Sequence, residues 1–141
     1  MADAAGATGV VAPMAEPDYR RLLAGRSAVA MFTRRGEERA RRHGLTNAQH
    51  HLLLAVHVHV DTLPGVAEAA GHLHLRPHSG AELVERAVAA GYLHRGNHPT
   101  DRRRVHLQLT PVGRRGLDVL SRAQLADLAD LAGALARPGS F

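Results

Sequence analysis

The sequence predicts a mainly α-helical protein with one small β-hairpin, an α+β fold. Three observations predict it. Leucine, valine and alanine recur at helical spacing through most of the chain, apolar and polar residues alternate only near the end of its third quarter, and turn residues separate these stretches. At 141 residues the chain has the length of about one domain.

Four helices are predicted before the alternating segment, over residues 18–42, 46–60, 65–73 and 77–91. The first ends at His43-Gly44, a pair typical of helix C-termini. Thr46 and Gln49 form a capping box that begins the second. Pro77 suits the first position of the fourth, because proline has no amide proton to lose there.

A β-hairpin and a long helix complete the predicted order. Strands are expected over 92–95 and 104–109, and the loop 96–102 between them is rich in turn residues. Val105, Leu107 and Leu109 alternate with polar residues and are expected to share a buried face. Thr110-Pro111 then begins a last helix that carries leucine at helical spacing.

A helix–turn–helix followed by a β-hairpin is a winged helix–turn–helix. We expect a disordered arm over 1–16, one domain over 17–137 and a tail over 138–141. Within the domain, 45–110 would be the DNA-binding lobe, and 17–43 and 111–137 would be flanking dimerisation helices. Those two helices are apolar along one side with little local core to cover them, which favours packing against a second copy of the chain.

The composition limits the classes of partner and chemistry. With 18 arginines, no lysine and 13 acidic residues, the net charge is +5, which favours a polyanion. The absence of cysteine excludes disulfides and thiolate metal sites, and four aromatic residues are too few for base-stacking platforms. The sequence contains no apolar run long enough to span a membrane, so we expect a cytoplasmic protein with no membrane partner.

Four short motifs carry a resemblance to a known family. They are Gly44-Leu-Thr with Gln49, Glu85-Arg86 with Gly91-Tyr-Leu, Asp101-Arg-Arg, and Leu107-Gln-Leu-Thr-Pro-Val-Gly113. Together they resemble the MarR family of bacterial transcriptional regulators, over about residues 18–135. The most specific part is the Asp-x-Arg-x5-Leu-Thr-x-x-Gly pattern from Asp101 to Gly113.

The resemblance implies a homodimeric regulator of transcription, with a repressor released by a small organic anion as the default. It places Arg103 at the family's wing arginine, which we expect Asp101 to brace through a bidentate ion pair. The lack of cysteine removes regulation by thiol oxidation. Two-fold symmetry predicts a pseudo-palindromic operator in double-stranded DNA.

Candidate DNA-binding residues lie on the fourth helix and the hairpin. They are Arg76, His78, Ser79, Glu82, Arg86, Arg95, Arg102, Arg103 and Arg104. The helix would enter the major groove and the arginine-bearing hairpin the adjacent minor groove. We expect Glu82 to pair with Arg86 one turn away rather than to contact a base. The alternative is an ordinary polar hairpin with no nucleic-acid partner.

The sequence contains eleven histidines, a number that a winged-helix fold does not explain. His50 and His57 share a face of the second helix and are candidates to line a ligand cleft. No metal site is assigned, although a histidine-liganded, metal-responsive regulator remains an alternative, as does a winged-helix module for protein interactions. His78, His94, His98 and His106 would strengthen DNA binding below about pH 6.5 if they contact phosphate when protonated.

No enzyme is predicted. The sequence contains no nucleophile-elbow pattern, no zinc-protease pattern and no phosphate-binding loop. No cofactor is expected either.

Overall fold

A computed structural model describes residues 9–59, 64–97 and 99–137. Its elements are α1 (Glu16–Arg42), α2 (Asn47–Val58), α3 (Val66–Gly71), α4 (Pro77–Ala89), β1 (Leu93–Asn97), β2 (Val105–Leu109) and α5 (Pro111–Ala136). The order and type of elements are those that the sequence predicts. Most of the arm predicted over 1–16 and all of the tail over 138–141 lie outside the described residues.

The helix ends follow the capping chemistry. The Thr46 hydroxyl accepts a hydrogen bond from the Gln49 amide at 3.0 Å, and the Gln49 side chain accepts one from the Thr46 amide at 2.9 Å. Thr110 caps α5 in the same way, through the Gly113 amide at 3.0 Å. Pro77 stands at the first position of α4, as expected.

The DNA-binding lobe predicted over 45–110 has a continuous apolar core. Leu52, Leu53 and Val56 of α2 are fully buried, and they join the core face of α4 and inward leucines of the hairpin and α5. On α4 the buried positions are Gly80, Leu83, Val84 and Ala87, and their three- and four-residue spacing in the sequence predicts that they share the inward face of a helix. The opposite face of α4 is left exposed.

The hairpin differs from the prediction in its burial pattern. β1 and β2 are antiparallel, and Leu107 is buried as expected, but Val105 is exposed and Leu109 is only half-buried. His106, on the opposite face, is buried instead. It pairs with Gly96, where a Cβ atom would lie 2.9 Å from the His106 ring, so the missing side chain leaves room for the imidazole.

The beginning of α5 lies against the residue that begins the hairpin. A Cβ on Gly113 would collide with the backbone carbonyl of Tyr92, so only glycine fits this position. That carbonyl accepts a hydrogen bond from the Thr110 amide at 3.1 Å, and the Thr110 hydroxyl donates to the carbonyl of Gly91. The Tyr92 hydroxyl donates to the Gly44 carbonyl at 2.8 Å, which ties the end of α1 to the same place.

α1 and α5 pack along one another outside the lobe. Arg39 Nη2 lies 2.6 Å from Asp127 Oδ2, and Arg35 lies 3.9 Å from both Asp127 and Asp130. Several large apolar side chains on these helices remain more than two-fifths exposed. They include Tyr19, Leu22, Leu23, Val29, Met31, Leu125, Leu128 and Leu135.

Replacing Gly80 with alanine should destabilise the fold, because its Cβ would lie 2.6 Å from the Cβ of Ala70 and push α4 from α3. We expect Gly80→Ala to lower the free energy of unfolding by about 1–3 kcal/mol, measured by urea denaturation. Gly71→Ala is the matched control, since a Cβ there meets nothing within 4 Å. Equal stability of the two variants would contradict this packing argument.

Candidate nucleic-acid interface

The exposed face of α4 carries the predicted helix residues. His78, Ser79, Glu82 and Arg86 are all exposed, and Arg76 is exposed at the N-cap position. Pro77 has no amide proton, and the Gly80 amide donates to the Arg76 carbonyl at 2.9 Å. The amides of His78 and Ser79 are therefore the ones without a partner inside the helix, and they give this end a partial positive charge. The arrangement offers arginine side chains and a helix N-terminus on one exposed face.

Glu82 has a different partner from the one predicted. Its Oε1 lies 3.1 Å from His78 Nε2, one turn towards the N-terminus. Among the described residues, no ion pair joins Glu82 to Arg86. The expectation of a Glu82–Arg86 pair is therefore wrong, and the reason is that His78 lies on the same stripe of the helix at the same four-residue spacing.

The tip of the hairpin is a hydrogen-bonded turn over Asp101–Arg104. The Arg104 amide donates to the Asp101 carbonyl at 3.1 Å, and the Arg103 amide donates to the Asp101 carboxylate at 3.0 Å. Aspartate is favoured at the first position of such a turn for this reason. Arg102 and Arg103 occupy the two corners and are exposed.

Asp101 thus braces the wing through the backbone. The bidentate pair predicted between Asp101 and a guanidinium is absent from the described residues, because the carboxylate is engaged with the Arg103 amide. The guanidinium groups of Arg102 and Arg103 form no ion pair within the part of the chain that the structure describes. Their charges therefore remain available to an external anion.

The other two wing arginines connect the hairpin to the helices. Arg95 Nη2 lies 3.9 Å from Glu85 Oε1 of α4, and Arg104 Nη2 lies 3.4 Å from Glu68 Oε1 of α3. Both pairs are solvent-exposed, so each adds little stability. Their geometry places the base of the wing beside the helix–turn–helix. Arg95 and Arg104 thus each pair with a carboxylate of a helix, whereas the two corner arginines have no carboxylate partner among the described residues.

The histidines predicted to face DNA have different positions. His78 and His94 are exposed, whereas His106 is buried and cannot reach a phosphate without rearrangement. His98 lies outside the described residues. The expected contribution of His106 to pH-dependent DNA binding is therefore wrong, for the packing reason given by its neighbour Gly96.

The two candidate ligand-binding histidines are not equivalent. His50 is 3% exposed and its Nε2 lies 3.0 Å from Ser121 Oγ, which links α2 to α5. His57 is half-buried. Neither lines the cavity of about 670 Å³ between α1 and α5, whose walls include Ser27, Met31 and Phe32. In this structure His50 joins two helices.

Two negative findings concern other kinds of site. Over residues 9–59, 64–97 and 99–137, no group of three or more histidine, aspartate or glutamate side chains is arranged to hold a metal ion. In the same ranges, no helix is long and apolar enough to cross a membrane.

Comparison with known proteins gives one family match. Residues 43–104, from the end of α1 to the tip of the wing, match a sequence model of the MarR family. Over these residues the chain is similar to that family. No curated protein sequence matches it. The members of this family are transcription regulators, in agreement with the prediction that the chain is not an enzyme.

Solved structures of MarR regulators share the fold. AbsC from Streptomyces coelicolor superposes with a TM-score of 0.72 at 15% identity, covering 86% of this chain and 82% of that one. MepR from S. aureus in complex with DNA gives 0.69 at 16% identity, covering 77% of each chain. A MarR variant from E. coli complexed with operator DNA gives 0.65 at 20% identity, covering 82% and 80%. The winged-helix prediction is thereby confirmed.

Several residues of the motifs that resemble the MarR family have structural roles. Gly44, Tyr92, Thr110 and Gly113 all meet at the joint between α1, the hairpin and α5. Of the most specific pattern, only Asp101 to Arg103 lies at the wing tip. The sequence contained part of this signal, because glycine permits close backbone approach and threonine before proline is typical of a helix N-cap.

Stability should depend on pH through His50. Burial, followed by the charges of His51 and Arg39, lowers the pKa of His50 below 6.5. As the pH falls through about 6.5, this histidine takes up a proton in the unfolded chain, whereas in the folded chain it stays neutral to a lower pH. The free energy of unfolding therefore has its full value above that pH and decreases below it. His51, whose pKa is lowered mainly by burial, contributes in the same direction.

We expect the free energy of unfolding to fall between about pH 7.5 and pH 5.5, and to fall less in His50→Gln, in which an amide replaces the ring beside Ser121. Urea denaturation at the two pH values measures the difference. His43→Gln, at an exposed position after α1, is the control and should keep the wild-type loss. An identical loss in wild type and His50→Gln would contradict the assignment.

Proposed function

We propose that this protein is a homodimeric, sequence-specific, double-stranded DNA-binding regulator, and a repressor that a small organic ligand releases. One observation carries the DNA-binding part. Arg102 and Arg103 stand exposed at the corners of a turn, without carboxylate partners in the described chain, on a hairpin held beside the helix–turn–helix. Such a tip is narrow enough to enter a minor groove, where the potential is most negative.

In this proposal α4 enters the major groove, with Arg76 and Ser79 near its leading end. The N-terminus of the helix and the Ser79 hydroxyl suit phosphate, and the Arg76 fork suits phosphate or guanine. Arg86 lies two turns further along on the exposed face. Glu82 is engaged with His78, which reduces its repulsion of the DNA backbone. Two similar solved structures are complexes with DNA, which supports DNA binding by this chain. The protein would act in the cytoplasm.

The dimer is proposed from the exposed apolar surface of α1 and α5. Residues 17–43 and 111–137 would form the interface, and 45–110 the DNA-binding lobe. The apolar side chains left exposed on these two helices cost free energy in water, and a second copy would bury them. A two-fold dimer would present two recognition helices to a pseudo-palindromic operator, with half-sites about one helical turn apart.

The proposed effector is a small organic ligand. The cavity between α1 and α5 carries Arg35 and Arg137 together with Asp127 and Asp130, so its charges balance and give an anion no net attraction. The resemblance to the MarR family supports a small organic ligand, and the same resemblance favours an anion. A ligand need only favour one separation of the two recognition helices to weaken binding at both half-sites.

Removing the corner arginines should weaken DNA binding and its dependence on salt. Arg102→Ala and Arg103→Ala should each reduce the slope of log K against log salt by about 1, because each removes one phosphate-directed charge. The probe is a labelled duplex of the intergenic DNA beside the protein's own gene, compared with a shuffled duplex, by fluorescence anisotropy. Arg122→Ala, an exposed arginine on α5, is the matched control.

Unchanged affinity and slope in both variants would overturn the role given to the wing. No binding of the wild type to either duplex would contradict DNA binding as a whole and favour a protein-interaction module.

A charge on the apolar surface of α1 should separate the dimer. Leu22 is 55% exposed, so Leu22→Glu should leave the fold of the single chain intact and shift the protein to monomer in sedimentation equilibrium. Val58→Glu is the control, because Val58 is equally apolar and 72% exposed but lies on α2. A wild-type chain that sediments as a monomer, or a dimer that tolerates Leu22→Glu, would contradict the proposed interface.

A further inference from the structure

Two histidine side chains from different helices meet at the end of α2. His59 is the residue that follows α2, and His72 is the residue that follows α3. Their Nε2 atoms lie 2.6 Å apart and their ring centroids 4.7 Å apart. A neutral imidazole nitrogen has either one proton or one lone pair, so at this distance one Nε2–H donates a hydrogen bond to the lone pair of the other Nε2.

More imidazoles lie around this pair. Burial, followed by electrostatic interaction with His72 and then with His74, lowers the pKa of His51. His74 is the one residue other than glycine in the described chain with a positive φ, at 54°. A residue rarely adopts that backbone unless its surroundings fix it. The turn between α3 and α4 therefore fixes the backbone at His74, two residues after His72.

We propose that His59 and His72 form a binding site for a late first-row divalent cation of the Zn²⁺, Ni²⁺ or Cu²⁺ class, which their Nε2 atoms ligate. Imidazole nitrogen is a preferred ligand of these ions, and cysteine is not required. Among the described residues no three histidine, aspartate or glutamate side chains are grouped to hold a metal ion, so the proposed site supplies two protein nitrogens and leaves the other coordination positions to further ligands. We expect an affinity below that of closed four-ligand zinc sites.

Binding would need only a small movement of the rings. With metal–nitrogen distances of about 2.0–2.1 Å and a tetrahedral angle, two ligating nitrogens lie roughly 3.4 Å apart. The Nε2 atoms must therefore separate by less than 1 Å (about 0.8 Å by difference) from the 2.6 Å observed. Both side chains stand at helix ends, where such a rotation does not disturb the buried core.

The position of the site gives a bound ion a structural effect. His72 lies four residues before Arg76, the N-cap of α4, so an ion would join the end of α2 to the turn that sets the direction of α4. Because the ion binds the folded chain only, it should also raise thermal stability. This site is separate from the proposed DNA-binding residues, and its test does not involve DNA.

The experiment uses the full, untagged chain and Zn²⁺ in competition with a chromophoric chelator. The wild type should bind Zn²⁺ and melt at a higher temperature with it, and His59→Ala and His72→Ala should each lose affinity by about tenfold or more. His43→Ala removes an exposed histidine outside the pair and should bind as the wild type does. Circular dichroism establishes that each variant folds.

The double variant His59→Asn with His72→Asn keeps nine of the eleven histidines and side chains that can still hydrogen-bond. It should lose both the binding and the Zn²⁺-dependent rise in melting temperature. Equal Zn²⁺ affinity in the wild type and this variant would overturn the site, because the other histidines would then account for the binding. So would a wild type that binds no Zn²⁺.

Discussion

The close approach of α5 to the carbonyl of Tyr92 determines the geometry of the whole lobe. Gly113 has no room for a Cβ, and the Thr110 amide donates to the same carbonyl. The Tyr92 hydroxyl reaches the Gly44 carbonyl on the other side. Three helix ends and the hairpin thus share one joint, in which backbone carbonyls accept hydrogen bonds from one backbone amide and two side-chain hydroxyls. Hydrogen bonds to fixed carbonyls leave little freedom of angle, so the wing, α4 and α5 have fixed relative directions.

Charge is distributed around this joint in two different ways. Arg35 and Arg39 on α1, and Arg95 and Arg104 in the hairpin, face acidic residues of neighbouring elements, so they fix the arrangement of the chain. The corner arginines of the wing have no such internal partner in the described residues. The net charge of +5 therefore does not describe how the charge is distributed. Some arginines are neutralised by nearby carboxylates, whereas the corner arginines present their charge to solvent.

The sequence was sufficient for the elements and for the inward face of α4, because caps, proline and apolar spacing are local signals. It did not predict the partner of a side chain that has several partners within reach. Glu82 had two candidates at four-residue spacing, and Asp101 could accept from a guanidinium or from the backbone. The burial of His106 depended on a glycine in the opposite strand, a non-local contact that period-two alternation does not contain. The meeting of His59 with His72 likewise depends on helix packing.

The backbone brace at Asp101 has a consequence for the energetics of recognition. The turn itself is ordered before any partner arrives, but the guanidinium groups of Arg102 and Arg103 are not held by it. Each long side chain loses rotamer freedom when it is immobilised, at a cost of up to about 2 kcal/mol. The wing thus meets its partner as a rigid support with two mobile ends. The two mobile guanidinium groups can adapt to grooves of different width. The entropy lost when they are ordered lowers the affinity for the partner.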